Sequence, residues 1–202
     1  MPYQTDYPEL KQLQFTANQD LLLAFDTPQM VYYLHKGFVR QYVINSDGSE
    51  LTVHIFKPGS YFPLITILAE QPNHYNFTSI TLVELATIDK QVFLESLSQN
   101  PEKLMLMTKN LLIALDKLSK RIEQLAFADA QTRLVETLKF LSRHFATKQG
   151  SDWHFQYKFT HAQLANFAGL SRETVSRELM NLESAGKVSY DEVNKLILPI
   201  SP

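Results

Sequence analysis

Residues 160–185, THAQLANFAGLSRETVSRELMNLESA, decide how the C-terminal part of this chain folds. Thr160 and Gln163 stand at capping-box spacing, in which two side chains satisfy backbone N–H groups at the start of a helix. Ser171 is a second N-cap, and Gly169 supplies the tight turn between the two helices. Two short helices around a glycine-containing turn predict a helix-turn-helix.

The second of these helices has an apolar face and a polar face. Val175, Leu179 and Leu182 recur at helical spacing and are predicted to face inward. In a recognition helix the outward residues meet base edges in the major groove, where arginine bonds guanine and glutamate accepts from cytosine. A solvated surface helix has the same pattern, but the turn and both caps favour DNA binding. The predicted base contacts are Arg172, Glu173, Ser176 and Arg177.

Polar residues near the two helix N-termini suit phosphate, because hydroxyl and backbone N–H groups there can donate to it. The predicted phosphate contacts are Thr160, His161 and Ser171. The segment after the second helix, KVSYDEVNKLILP at 187–199, predicts a small hairpin that turns near 191–194. A hairpin at this place is the wing of a winged helix-turn-helix.

The residues before 160 predict three further elements. Asp129 is expected to cap a helix, because its carboxylate can accept from the first backbone N–H groups. The polar segment 147–152 predicts a loop, and the alternation in 154–159, HFQYKF, predicts a strand. The apolar stripe of the predicted helix is Leu134, Leu138, Leu141 and Phe145.

Residues 101–126 predict one long helix, since they contain no glycine and no proline beyond Pro101. Leucine recurs every seven residues at one set of heptad positions, and Leu115 and Ile122 stand at the complementary spacing. Apolar residues at both sets form an a/d seam, which favours parallel two-stranded pairing. A single buried core helix is the alternative on periodicity alone. The predicted dimer seam is Leu104, Leu111, Leu115, Leu118, Ile122 and Leu125. Apolar flanking residues predict a second buried face at Met105, Met107, Leu112 and Ala114.

The N-terminal part contains short strands separated by turn residues such as Lys36-Gly37 and Pro58-Gly59. Closely spaced antiparallel strands favour a compact sandwich or roll. The predicted strands are 31–35, 38–44, 50–56 and 80–88. The predicted fold class is therefore α+β, with a sandwich or β-roll domain at 1–100, a long helix at 101–126 that either pairs as a dimerisation helix or packs in the core, and a winged helix-turn-helix at 127–202.

Composition excludes several kinds of site. The chain has no cysteine, so disulfides, thiol nucleophiles and Cys-ligated zinc or iron–sulfur centres are excluded. No apolar run approaches the roughly 18 residues that span a bilayer, and the N-terminus lacks a secretory signal, so we expect the cytoplasm. Residues 126–202 carry 9 basic and 8 acidic residues, against 10 and 13 in 1–125. DNA affinity must therefore come from a local basic face.

Residues 170–179, LSRETVSREL, closely resemble the recognition helix of the cyclic-AMP-receptor/FNR (CRP/FNR) family of transcription regulators. Residues 125–138 resemble the hinge and following helix of that family, and 37–62 resemble its β-roll. The resemblance covers nearly the whole chain. It implies a cupin-like effector domain, a long dimer helix, a hinge near 127–129 and a winged helix. By matching position it also implies base contacts at Arg172, Glu173, Ser176 and Arg177, and phosphate contacts at Thr160 and Ser171.

The sensor part departs from the pattern of the nucleotide-binding members of the family. Those members carry a Gly-Glu pair after the Pro-Gly turn and an Arg-Ser pair later, which hold ribose and phosphate. The two places here are 62–64, Phe-Pro-Leu, and 73–76, Asn-His-Tyr-Asn. A cyclic phosphate without an arginine partner loses its strongest charge-assisted contact, so we expect no cyclic AMP. No iron–sulfur cluster, metal site or other cofactor is expected either.

Aromatic residues of the roll are the remaining candidates for an effector pocket. They fit a small, mainly apolar or aromatic ligand, and they fit a collapsed core without a ligand equally well. The pocket candidates are Tyr61, Phe62, His74, Tyr75 and Phe77.

Together these observations predict a homodimeric, sequence-specific DNA-binding transcription regulator that is controlled by an unidentified small-molecule effector. The expected partners are double-stranded DNA with an inverted-repeat operator, a second copy of the chain, RNA polymerase and the effector, with no membrane. A constitutive regulator with a ligand-free roll is the alternative. A cupin-type enzyme is the weaker alternative, because the sequence shows no catalytic cluster and 170–179 stays unexplained.

Overall fold

The computed structural model describes residues 11–199, apart from the side chains at 117, 121 and 124–127. It divides the chain into two units, 1–115 and 116–202, and the boundary lies within one long helix. The predicted α+β fold class is confirmed, whereas the domain boundaries after residues 100 and 126 stay predictions.

The first unit is a β-roll with two four-stranded antiparallel sheets. One sheet has the order β1 (Lys11–Phe15), β8 (Val83–Asp89), β3 (Met30–Lys36) and β6 (Tyr61–Phe62). The other has the order β2 (Asp20–Leu22), β7 (Asn76–Ser79), β4 (Val39–Ile44) and β5 (Glu50–Phe56). Buried side chains from both sheets meet in one core, which contains Leu22, Leu34, Val39, Phe62, Phe77, Val83 and Leu85.

Gly37 makes the turn from β3 to β4 possible. Its φ is +86°, in the left-handed region, and a Cβ at this position would collide with the backbone oxygen of Leu82. Only glycine fits here without strain, so the sequence signal for a turn at Lys36-Gly37 has a direct structural cause.

Three helices belong wholly or partly to this unit: α1 (Leu64–Leu68), α2 (Lys90–Gln99) and α3 (Pro101–Phe127). α2 covers a second cluster, and Met107 of α3 packs against it. The predicted second buried face of α3 is wrong at Met105 and Leu112, which are 56% and 59% exposed. The physical reason is the helical period: Lys103 and Met107 lie one turn apart on the covered side, and Met105 and Leu112 point away from it.

The second unit contains the end of α3 and three more helices: α4 (Ala130–Phe145), α5 (His161–Ala168) and α6 (Arg172–Ser184). Its antiparallel sheet has the order β11 (Ser189–Tyr190), β12 (Leu196–Leu198), β10 (Asp152–Phe155) and β9 (Ala146–Gln149). The predicted stripe of α4 is confirmed, since Leu134, Leu138, Leu141 and Phe145 are all buried. Within the described residues, no helix is long and apolar enough to cross a membrane.

Two local predictions in this unit are wrong. Residues 147–152 are part of the hairpin of β9 and β10 rather than a loop, because β9 pairs through its backbone and exposes its polar side chains. The predicted strand at 154–159 ends at Phe155. The Gln156 N–H makes one more bond in this register, to the Phe145 carbonyl at 2.7 Å, and beyond it the Phe159 ring turns its edge onto Phe145, with the ring centroids 5.1 Å apart. Aromatic packing thus overrides the alternating pattern.

Candidate nucleic-acid interface

The predicted helix-turn-helix is present, and both of its N-caps are formed. Thr160 Oγ1 accepts from the Gln163 N–H at 3.1 Å, and Gln163 Oε1 accepts from the Thr160 N–H at 2.9 Å. Ser171 Oγ accepts from the Thr174 N–H at 3.1 Å. Gly169 ends α5 with φ +63°, a left-handed conformation that glycine adopts without strain. Both helices therefore begin where the sequence predicts, and α5 ends at the predicted glycine turn.

The inward face of α6 anchors it in the second unit. Val175, Leu179 and Leu182 are each at most 2% exposed, as predicted. Burial of an aliphatic side chain contributes about 1.5–3 kcal/mol, so three of them hold the helix in one rotational setting. The opposite edge of α6 is thereby held toward solvent.

The four predicted base contacts lie together on this outward edge. Arg172, Glu173 and Arg177 are exposed, and Ser176 is half-buried. The Arg177 side chain is 66% exposed, and its Nε lies 3.2 Å from Oε1 of Glu178. Only the arginine end of this pair is exposed, since the Glu178 side chain is 12% exposed, and Glu178 also accepts from Asn181 Nδ2 at 3.2 Å, so Arg177 can leave the pair for another partner.

The three predicted phosphate contacts surround this edge at the starts of α5 and α6. Thr160 and Ser171 are exposed residues, and their hydroxyls cap their own helices. His161 differs from them, because its Nδ1 lies 2.7 Å from Oγ of Ser176, a predicted base contact. The structure thus joins one member of the phosphate set to one member of the base set.

Arg133 on α4 is a supporting residue that sequence reasoning missed. Its Nη2 donates to the Ala168 carbonyl at 2.9 Å and also to the Gly169 carbonyl. A cation at a helix C-terminus is favourable, because it satisfies carbonyls that lack helical partners and complements the helix dipole. Arg133 therefore fixes the turn between α5 and α6. Its partners lie 35 or 36 residues away along the chain, so no local sequence pattern predicts the contact.

The predicted wing is confirmed as the hairpin of β11 and β12. Asp191 Oδ1 accepts from the backbone N–H groups of Val193, at 3.0 Å, and Lys195, at 2.7 Å. Asn194 takes the left-handed conformation with φ +57°. Asp and Asn suit these two roles, because Asp accepts from backbone groups within the turn and Asn tolerates positive φ. The side chains and backbone of this turn together fix the shape of the wing.

A cavity of about 370 Å³ lies between the wing, α5 and α6. Polar residues of its wall include Lys158, Thr160 and His161 from around the start of α5. Tyr190 lines it from the wing, and burial together with nearby Glu183 raises the pKa of its hydroxyl. The tyrosine therefore keeps its proton and can donate a hydrogen bond at neutral pH.

The five pocket candidates of the roll do not share one pocket. Phe62 and Phe77 are buried in the core and stack with their ring centroids 5.4 Å apart. Tyr75 packs against the same cluster, whereas Tyr61 packs against the second cluster beneath α2. His74 is exposed. The structure therefore brings three of the candidates together and separates the other two.

Aromatic rings occupy the space between the two sheets. Phe56 lies 5.0 Å from Phe62, and Tyr32 lies 5.3 Å from Phe62 on stacked planes. Asn73 is buried, and its amide donates to the carbonyls of Leu23, at 2.7 Å, and Tyr75, at 2.9 Å. Among the described residues, no group of three or more histidine and acidic side chains is placed to hold a metal ion.

The predicted dimer seam is exposed along α3. Leu104 and Leu118 are 47% and 44% exposed, and the seam residues between and after them are exposed further, up to 65% at Leu111. The remaining seam residue, Leu125, lies outside the described side chains. Pairing through this seam stays a prediction. The described members of the seam are Leu104, Leu111, Leu115, Leu118 and Ile122.

Comparison with known families and proteins matches both parts of the chain. A cyclic nucleotide-binding domain matches residues 12–100, and a Crp-like helix-turn-helix domain matches residues 132–199. The chain is 29% identical to the global nitrogen regulator of Nostoc sp. over 177 residues, which cover 87% of this chain and 79% of that protein. It is 28% identical to the cAMP-activated global transcriptional regulator CRP of Pasteurella multocida over 177 residues, 87% of this chain and 84% of the relative.

Solved structures show the same fold. The c-di-GMP responsive global regulator CLP of Xanthomonas campestris matches with a TM-score of 0.82 at 24% identity, over 94% of this chain and 93% of that chain. A CRP/FNR-family regulator from Thermus thermophilus matches with a TM-score of 0.78 at 24% identity, over 95% and 94%. The two matched domains follow one another in the chain, and the similar proteins are regulators rather than enzymes. The chain belongs to the CRP/FNR family of DNA-binding transcription regulators.

Proposed function

We propose that this chain binds an inverted repeat in double-stranded DNA as a homodimer and regulates transcription there. One observation carries the proposal: α6 buries its apolar face and turns four side chains that can recognise bases toward solvent. Arginine can bond guanine O6 and N7 bidentately, and glutamate can accept from cytosine N4. The proposed base contacts are Arg172, Glu173, Ser176 and Arg177.

Phosphate contacts at the starts of α5 and α6 would hold this edge in register with the groove. Thr160 and Ser171 cap their helices and are both exposed, so a phosphate can reach the first residues of α5 and α6. Such contacts position a protein on the duplex without reading its sequence. His161 joins them through its second ring nitrogen. DNA thus receives two kinds of contact from one compact surface.

The exposed seam of α3 supports the homodimer. Its five described members are apolar and 44–65% exposed in the single chain. Contiguous apolar surface on a helix is typical of an interface, and a leucine seam at a/d spacing suits a parallel pair. A two-fold dimer places its recognition helices on half-sites about 34–36 Å apart, which predicts an inverted repeat.

We propose two alternative mechanisms by which the DNA binding of this regulator is controlled. In the first, a small-molecule effector in the roll shifts the populations of two arrangements through the hinge at 127–129. In the second, the roll is a ligand-free scaffold, and the stacked rings of Phe56, Phe62 and Phe77 favour this version. We also infer that no cyclic nucleotide binds, because residues 60–77 contain no lysine or arginine that could pair with its phosphate.

A thermal-shift series separates the two versions of control. A ligand that binds the folded state stabilises it by RT ln(1 + [L]/Kd), so the midpoint rises with concentration. Cyclic AMP should leave the midpoint unchanged, and a concentration-dependent rise would contradict our inference. A small aromatic acid that raises the midpoint would support the effector version.

RNA polymerase is a further proposed partner, and the cytoplasm is the proposed place of action.

Binding-site selection from a random duplex pool tests the function itself. The wild-type chain should enrich an inverted repeat whose half-site centres lie about 10–10.5 bp apart, or a multiple of that. A variant that replaces Arg172, Glu173 and Arg177 by alanine should keep weak binding and enrich nothing. Enrichment of no sequence by the folded wild-type chain would refute the proposal.

A further inference from the structure

We infer that His161 decides which bases Ser176 can recognise, by fixing the direction in which the serine hydroxyl donates. The inference rests on the proposed DNA binding. His161 is the first residue of α5, Ser176 lies on the outward edge of α6, and both side chains are half-buried. The 2.7 Å separation of Nδ1 and Oγ is a short hydrogen bond that links the two helices. Ser176 is therefore not a freely rotating hydroxyl.

Hydrogen-bond chemistry determines the direction of this bond on DNA. A neutral imidazole has one donor nitrogen and one acceptor nitrogen. Because Nδ1 is engaged with Ser176, Nε2 is the ring atom left to reach a phosphate at the start of α5. Phosphate oxygens accept hydrogen bonds, so Nε2 must carry the hydrogen in the complex. In a neutral ring Nδ1 is then the acceptor, and Ser176 donates to it.

This direction limits what Ser176 offers to a base. A serine hydroxyl has one hydrogen and two acceptor lone pairs, and here the hydrogen is used by His161. The exposed lone pairs can only accept. In the major groove the donors are adenine N6 and cytosine N4, whereas guanine and thymine present acceptors. Ser176 should therefore favour adenine or cytosine, whereas a serine without this partner can bond either kind of base edge.

Relative affinities for operators that carry each of the four base pairs at each position test this inference. At one position, wild type should prefer the base pair whose adenine N6 or cytosine N4 faces Ser176, by about 2- to 10-fold for each half-site that is changed, the range of a single hydrogen bond. Ser176→Ala and His161→Ala should each remove the preference at that same position and leave the other positions unchanged. The double variant should show the same base preferences as either single variant, because the two residues act as one unit.

Two further variants separate positioning from a merely structural role. His161→Asn places an amide oxygen near the position of Nδ1, so it should retain the preference while losing affinity for all sequences alike. Thr160→Ala removes a cap and a phosphate contact, so it should lower affinity uniformly and leave every preference intact. Circular dichroism confirms that each variant is folded before its affinities are compared.

The outcomes distinguish this inference from the proposed function. If wild type selects no sequence, the proposed function fails and the inference fails with it. If wild type is selective but His161→Ala lowers all affinities alike, as Thr160→Ala does, only the inference is overturned. At the position lost in Ser176→Ala, replacing the adenine or cytosine by its analogue without the exocyclic amino group should cost wild type as much affinity as the Ser176→Ala change does, and no loss on that analogue would overturn the inference as well.

Discussion

Replacement of Arg177 by alanine separates base recognition from folding. The side chain is 66% exposed, and its contact with Glu178 is a 3.2 Å ion pair on the surface. Water screens the exposed arginine end of this pair, and Glu178, whose side chain is 12% exposed, keeps a hydrogen bond from Asn181 Nδ2 at 3.2 Å when the arginine is removed. The thermal unfolding midpoint of Arg177→Ala should therefore change little. Any large effect of the substitution has to come from DNA.

The expected effect on DNA follows from the geometry of the proposed contact. A bidentate arginine–guanine pair contributes about 1–3 kcal/mol of discrimination, and a two-fold dimer makes the contact twice. The two copies together give roughly 2–6 kcal/mol, a loss of about 30-fold to more than 10,000-fold on the selected operator. Random DNA has no guanine held in place for this contact, so it should lose only the smaller effect of one charge per chain.

Fluorescence anisotropy with the selected operator and a scrambled duplex at one salt concentration measures both losses. Lys148→Ala is the matched control, because Lys148 is an exposed cation on β9 and its removal changes the net charge equally. The control should weaken both duplexes slightly and to the same extent. Equal losses on operator and scrambled DNA for Arg177→Ala would refute base recognition by this residue.

Three further predictions concern assembly and stability. Leu111→Glu should weaken the proposed dimer by at least about 10-fold in sedimentation equilibrium, because the dimer would then bury two carboxylates. Asn110→Glu, at the exposed neighbouring residue, is the control and should leave the dimer unchanged. Equal effects of the two substitutions would contradict pairing through the seam. Phe77→Ala should lower the free energy of unfolding by about 3–5 kcal/mol in chemical denaturation, because the side chain is 1% exposed and its ring stacks in the roll core. A decrease below about 1 kcal/mol would contradict that packing. The N–H of Thr132 lowers the pKa of the Asp129 carboxyl, so the cap stabilises α4 above the ordinary carboxyl pKa and is lost as pH falls through the lowered value. Asp129→Asn should flatten this acid-side loss in unfolding curves measured from pH 5 downward, and an unchanged slope would count against the cap.

Features made by neighbouring residues could be predicted before any coordinates. Thr160 with Gln163, Ser171 and Gly169 fix the ends of α5 and α6, because caps and left-handed turns depend on bonds within a few residues. The buried face of α6 followed from helical periodicity, and the wing from its turn residues. The β9–β10 hairpin escaped prediction, since β9 is held by backbone pairing and carries no alternating pattern.

Contacts between distant residues could not be predicted in the same way. Arg133 reaches carbonyls at the C-terminal end of α5, and the bond between His161 and Ser176 crosses between two helices. Each depends on how helices pack, which no spacing along the chain encodes. The same limit applies to the roll, where sequence placed Phe62 and His74 in one candidate pocket and packing buried one while exposing the other.

The sequence by itself determined the helix-turn-helix, its wing and the edge of α6 that faces solvent, because each arises from periodicity and local hydrogen bonds. The tertiary structure alone decided which side chains brace that edge, how one histidine orients a serine on it, and how aromatic rings fill the roll. The physical reason is range: caps and turns are settled within a few residues, whereas packing brings together groups that the chain separates by 15 to 36 positions.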